Sequence, residues 1–177
     1  MKGTNKNCCA AEDAVPEEMQ QVGALPWRIA KNGEARILLV TSRSSGRWIV
    51  PKGWPMKGFA PRQTASREAL EEGGVIGVLS KAPVTTYRYM KRLDNGASVA
   101  CRVAVFGLNV RGTLVDWREK AQRQRRWFSL AAAADKLDDR ELSEFVRTLD
   151  AASECLEPPT GATGKKSALD EILMLRR

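Results

Sequence analysis

The run Arg67-Glu68-Ala69-Leu70-Glu71-Glu72-Gly73-Gly74-Val75 constrains this 177-residue chain more than any other stretch. On a helix, positions i, i+3 and i+4 share a face, so Glu68, Glu71 and Glu72 converge there. Like charges at that spacing repel by about 0.2–0.5 kcal/mol per pair. A hard divalent cation is the usual compensation. The helix-compatible stretch runs from Arg62 to Glu72, with Ala65, Ala69 and Leu70 as its apolar side and Gly73-Gly74 as its stop. Any fold for this chain must seat that acidic face where an ion and an anionic partner can reach it.

The surrounding pattern alternates strands and turns. Strand-like segments read at Ala24–Ala30 and Arg36–Ser42, joined across Asn32-Gly33, which tolerates the positive φ of a hairpin turn. A short strand, Arg47-Trp48-Ile49-Val50, ends at Pro51. The loop Pro51–Gly58 is too rich in glycine and proline to be regular. Further strands are expected at Val84–Met90 and Ser98–Val110 around the turn Asp94-Asn95-Gly96, with Val99, Cys101, Val103 and Val105 alternating along the second. A basic loop, Trp117–Arg126, leads to a short strand around Trp127-Phe128. Leu130–Leu149 reads as one helix, with Leu137, Leu142, Phe145, Val146 and Leu149 apolar.

Residues 1–20 read as a poorly ordered polar leader, 21–150 as one domain, and 151–177 as a linker and tail. The tail's Gly161–Ser167 has neither the spacing nor the preceding strand of a phosphate-binding P-loop. Neither a membrane-length apolar run nor a signal-peptide pattern is present, which points to the cytoplasm.

Histidine is absent, and Cys8, Cys9, Cys101 and Cys155 form no CxxC pair or disulfide framework. A structural zinc site and Ser-His or Cys-His catalysis are thereby excluded, and acid–base work falls to carboxylates, lysine or tyrosine. The net charge of +8 suits an anionic partner, either nucleic acid or a densely phosphorylated small molecule; simple solubility explains it equally well.

Taken together, loop and helix resemble the Nudix box, Gly-x5-Glu-x7-Arg-Glu-U-x-Glu-Glu-x-Gly-U with U a bulky aliphatic residue. Gly53, Arg67, Glu68, Glu71, Glu72, Gly74 and Val75 fall in register. Phe59 stands where the first glutamate belongs, and Ala69 is smaller than the usual U. Arg47–Pro51, Asp116-Trp117 and Arg125–Phe128 extend the resemblance to the diphosphoinositol polyphosphate and diadenosine polyphosphate hydrolase branch, over residues 22–149.

That resemblance implies an α/β Nudix fold, a mixed sheet sandwiched between helices, and Mg2+- or Mn2+-dependent cleavage of a phosphoanhydride in a polyphosphorylated small molecule. It implies Glu68 and Glu72 as metal ligands with the Lys52 carbonyl, and Glu71 as ligand or general base. Arg67 would hold a box carboxylate in place. Phe59 reads as a loop hydrophobe covering the helix start. A further carboxylate outside the box often joins such sites; Glu119 is the candidate, against the plainer reading of a solvent-facing loop charge.

Substrate phosphates need cations. Arg43, Lys52, Lys57, Arg102, Arg123 and Arg125 are the candidates, since arginine grips phosphate through a planar fork and lysine as a point charge. Singly, each also reads as a solvated surface charge; together, Lys91-Arg92 and Arg123–Arg126 make an electrostatic funnel. Tyr87 and Tyr89 offer base stacking, although alternating aromatics in a strand more often pack. Two alternatives stay open: a nucleotide or RNA 5′-end pyrophosphohydrolase, and a non-catalytic module binding phosphate ligands or nucleic acid. The sequence implies no membrane partner and leaves the oligomeric state open.

Overall fold

Hydrophobic runs buried on both sides set the architecture. In the computed structural model, which describes residues 18–93, 95–153 and 156, Ile37 and Leu39 point to one face of a sheet and Leu38 and Val40 to the other, all fully buried. A strand covered on both faces reads as a continuous apolar stretch, as here. The strands are β1 (Met19–Ile29), β2 (Ala35–Thr41), β3 (Trp48–Ile49), β4 (Lys52–Gly53), β5 (Val75–Leu79), β6 (Thr85–Arg92), β7 (Ser98–Thr113) and β8 (Arg125–Ser129). The helices are α1 (Pro61–Gly73), α2 (Leu130–Lys136) and α3 (Arg140–Thr148). None of the described helices is long and apolar enough to cross a membrane.

The sheet is mixed, in the order β3-β2-β1-β7-β5, with β4 on β1, β6 on β7 and β8 on β2. Its one parallel pairing, β1 with β7, runs from Met19↔Cys101 to Trp27↔Asn109. One face carries Leu25, Trp27, Ile37, Leu39, Val103 and Val105 against α2 and α3. The other carries Val22, Ala24, Leu38, Val40, Phe106 and Leu108 against Ala65 and Ala69 of α1. The expected sandwich of a mixed sheet between helices is therefore present. Ala69, undersized for its place in the motif, is fully buried at that contact and leaves α1 close to the sheet.

Both hairpin turns form, with Gly33 at φ 80° and Gly96 at φ 84°. Several boundaries differ from expectation. β1 begins at Met19, because the parallel ladder with β7 captures two residues assigned to the leader. The Pro51–Gly58 loop contains β4, whose Lys52 and Gly53 pair with Gly23 and Val22. β5 was not anticipated. The expected single helix breaks at Leu137–Asp139, where Leu137 bridges to Trp48 and α3 starts anew from Asp139. The leader up to residue 17, the linker and the tail beyond Leu156 lie outside the described residues.

α1 begins at Pro61, well suited to a first helical position, while Gln63 reaches back to accept from the Ala60 backbone at 2.8 Å. It ends at Gly74, whose φ of 59° places it in the left-handed region. The geometry around that glycine is crowded: a Cβ there would lie 2.5 Å from Arg125 Nη1 and 2.8 Å from the Trp117 ring. The segment after β7 is thus wrapped tightly over the end of the box helix.

Candidate active site

Each box carboxylate has a different environment. Glu72 is buried; its Oε2 accepts from the Lys52 backbone N–H at 3.2 Å, and its Oε1 accepts from Arg123 Nη2. Burial pushes its pKa up to about 7, against the pull of Arg123, and nearby Glu68 and Glu119 add to the rise. Glu68 is half-buried and makes no hydrogen bond or ion pair among the described residues. Burial again raises its pKa, with Glu71 and Glu119 contributing. Its carboxylate lies against Gly53, where a Cβ would come within 2.1 Å of Oε1. Any side chain at that position would displace this carboxylate from its place beside β4. Glu71 has both oxygens engaged, Oε1 by Arg67 Nε at 2.8 Å and Oε2 by Arg118 Nη1 at 2.7 Å.

The loop between β7 and β8 completes the cluster. Glu119 donates its backbone N–H to the Glu71 carbonyl at 3.1 Å, which fixes it beside the end of α1. Its side chain is 15% exposed, accepts from Arg123 Nε at 2.5 Å and lies 3.8 Å from Arg43. The plainer reading of a solvent-facing charge does not hold; Glu119 stands within the electrostatic reach of Glu68 and Glu72. Trp117 Nε1 donates to the Glu72 carbonyl at 3.2 Å, and Arg125 donates to the carbonyls of Gly73 and Leu114 at 2.8 and 2.6 Å. The contacts to Glu72 and Gly73 satisfy carbonyls that a helix C-terminus leaves open, and the one to Leu114 ties in the chain after β7.

The cationic candidates separate into two groups. Arg123 was expected to meet substrate, but it is buried, and its fork points in three directions: Nη2 to Glu72, Nε to Glu119 and Nη1 to the Thr41 carbonyl at 2.8 Å. Its charge is spent inside the protein. Arg125 likewise caps α1, with its guanidinium 3.8 Å from the Trp117 ring centroid. Arg102 reaches Glu18 at 3.9 Å, at the start of β1, and is not among the residues that contact the box carboxylates. Arg43 remains exposed on a groove of about 440 Å³ that Ser42, Trp48, Lys120 and Gln122 also line. Lys57 is exposed on the loop before α1.

Lys52 lies with its amine 4.5 Å from the Tyr89 ring centroid. Burial lowers its pKa, while Glu72 and Asp139 pull it back up. Tyr89 donates to Gln21 Oε1 at 2.6 Å, and Tyr87 is fully buried in the core, so Tyr87 packs rather than stacks on a ligand. Phe59 is 38% exposed and carries Arg67 at 5.8 Å from its ring, so the residue in the missing glutamate's place braces the arginine that holds Glu71.

Oxygen-only, clustered carboxylates of raised pKa fit a hard divalent cation in chemistry. Among the described residues no three acidic groups already converge on one point, because Arg123 lies between Glu72 and Glu119. Small side-chain rotations of Glu68 and Glu72 are what ion binding requires. Sequence reasoning missed the inward turn of Arg123; the Glu119/Arg123 spacing of four was the available signal.

A family model described as the NUDIX domain matches residues 19–149. Nudix hydrolase 12, mitochondrial, of Arabidopsis thaliana is 28% identical over 147 residues, covering 72% of each chain. Diphosphoinositol polyphosphate phosphohydrolase 3-alpha of Mus musculus is 35% identical over 103 residues, covering 56% of this chain and 58% of its own. Among solved structures, a C. elegans Ap4A hydrolase superposes with a TM-score of 0.52 at 18% identity, over 74% of this chain and 95% of that one, a likeness of fold.

The three-way Arg123 contact makes a stability prediction. Arg123→Ala leaves Glu72 and Glu119 without their cation and lowers unfolding free energy by about 3–5 kcal/mol. Arg123→Lys recovers only part of it, because an ammonium cannot address three divergent acceptors through a planar fork. Urea denaturation measures both.

Proposed function

The chain belongs to the Nudix hydrolases, and from that premise we propose that this pyrophosphohydrolase cleaves a phosphoanhydride in a diphosphoinositol polyphosphate or dinucleoside polyphosphate with Mg2+ or Mn2+ bound at Glu68 and Glu72. The carrying observation is the packing of Glu68 and Glu72 against the β4 backbone, with Glu119 held nearby through Arg123, where burial and mutual repulsion raise the carboxyls of Glu68 and Glu72. A divalent cation held there supplies charge neutralisation on phosphoryl oxygens and acidifies a ligated water. Glu119 supports the ion from outside the box, alongside the Lys52 carbonyl.

The protein's own groups do the positioning. Glu71 is locked between two guanidiniums, which favours an orienting role for it over proton abstraction. Glu68 carries no such partner among the described residues, which leaves its carboxylate free to hold the cation. Exposed Arg43, 3.8 Å from Glu119, and half-buried Lys52, whose backbone meets Glu72, are the cations available to receive non-scissile phosphates.

Two measurements test this reading. Glu68→Gln removes a cation ligand and lowers kcat by about 10²-fold or more at fixed Mg2+. A loss below threefold in a phosphate-release assay would remove Glu68 from the chemistry. The second is metal affinity as a function of pH. Glu72, with a pKa of about 7, is protonated below that pH and must lose its proton to ligate a cation. Calorimetric Mn2+ affinity therefore falls by up to tenfold per unit below pH 7 and levels off above it. Glu72→Gln removes the dependence together with most of the affinity.

A further inference from the structure

The box loop meets β6 through two cation–aromatic contacts that run in opposite directions. Lys52 of the loop places its amine 4.5 Å from the Tyr89 ring centroid, and Lys91 of β6 places its amine 4.3 Å from the Trp54 ring centroid. Tyr89 and Lys91 are two apart on a strand and so share a face. The loop offers a cation and then a ring; the strand offers a ring and then a cation. Tyr89 is itself fixed, donating to buried Gln21 of β1 at 2.6 Å. Lys91 is half-buried and makes no hydrogen bond or ion pair among the described residues, so the Trp54 ring is the partner its ammonium meets.

Little else holds this stretch. β4 is two residues long, and its ladder with β1 ends at Val22↔Gly53. Among the described residues no side chain from Trp54 to Phe59 makes a hydrogen bond, and the loop's turn is closed by the Phe59 N–H on the Met56 carbonyl at 3.1 Å. At the far end Arg67 lies 5.8 Å from the Phe59 ring. Yet the root of the loop bears on both buried box carboxylates. The Lys52 N–H donates to Glu72 at 3.2 Å, and the Glu68 carboxylate lies against Gly53. Gly53 stands between Lys52 and Trp54, so the two contacts with β6 grip the chain on each side of it.

We propose that Lys91 is a positioning residue: by holding the Trp54 ring to β6 it keeps the Lys52–Gly53 backbone in place beside Glu68 and Glu72. This rests on the function proposed above, in which that backbone shares the cation with those carboxylates. Lys91 acts through Trp54 and receives no substrate phosphate. A cation–π contact at a half-exposed ring is worth about two- to fivefold in an equilibrium. That is enough to bias a loop with so few other ties and too little to decide whether the protein folds.

A double-mutant cycle on Lys91→Gln and Trp54→Leu, with Lys91→Arg beside it, tests this first in protein free of metal. Amide hydrogen exchange at Gly53, Trp54 and Met56 quickens by about threefold in each single variant. The double variant exchanges no faster than the faster single one, and Lys91→Arg keeps the wild-type rate. Unchanged protection of the β2 and β7 amides shows that the fold persists in all of them. Calorimetric Mn2+ affinity falls in parallel, by about threefold, while KM at saturating Mn2+ stays at the wild-type value. Unchanged loop exchange in either single variant, or effects that multiply in the double variant, overturns the proposal. So does a rise in KM at saturating Mn2+ in Lys91→Gln with loop exchange unchanged, which marks the lysine as a substrate contact. Coupled loop exchange with Mn2+ affinity unchanged in every variant supports the hold on Trp54 while counting against the cation site at Glu68 and Glu72.

Discussion

A single guanidinium ties the catalytic helix to the rest of the molecule. Arg123 reaches Glu72 of α1, Glu119 of the loop before β8 and the Thr41 carbonyl at the end of β2, from a position almost wholly out of water. Two carboxylates would not stay close together in that environment alone, and a lone buried guanidinium would be equally unstable. The three groups make one another tolerable. Because they come from three separate elements, the arrangement also fixes where the helix end, the loop and the strand lie relative to each other. Arg125 and Trp117 reinforce this by closing the carbonyls at the end of α1.

The same arrangement explains how four carboxylates in one small volume take on different roles. Glu71 is turned outward and clamped by Arg67 and Arg118. Glu72 and Glu119 share Arg123. Glu68 is left with burial and repulsion only partly offset by Arg123 and Arg67, and lies against Gly53, where a Cβ would force its carboxylate to move. Such an arrangement suits the proposed cation at Glu68 and Glu72, while Arg123 holds Glu72 and Glu119 together without one. The charge on Arg123 is therefore structural, and Arg43 and Lys52 are left as the proposed contacts for substrate phosphates.

Much of this was legible in the residue string. The spacing of Glu68, Glu71 and Glu72, the Gly73-Gly74 stop and the two glycine turns are local signals, and local physics was enough to place them. The sandwich was expected from the family resemblance; its physical basis in the structure is the fully buried run from Ile37 to Val40 of β2. What escaped depends on contacts distant in sequence. Arg123 sits in a basic run that looks like surface, and only its meeting with Glu72, 51 residues away, makes it core. β5 was hidden by Gly77, which weakens any strand pattern; the structure needs that glycine because a Cβ would strike the Asn109 carbonyl at 2.0 Å, where the register shifts. The continuous helix expected from Leu130 to Leu149 breaks because Leu137 is drawn to β3 and Asp138-Asp139 favour a helix start over a helix interior.

The central claim, that the buried box carboxylates hold the catalytic ion, is most directly tested by anomalous scattering from crystals grown with Mn2+. The account predicts a peak within ligation distance of Glu68 and Glu72 oxygens, with Arg67 and Arg118 still on Glu71. A peak elsewhere, or none from crystals of protein that turns over substrate with Mn2+, would contradict it.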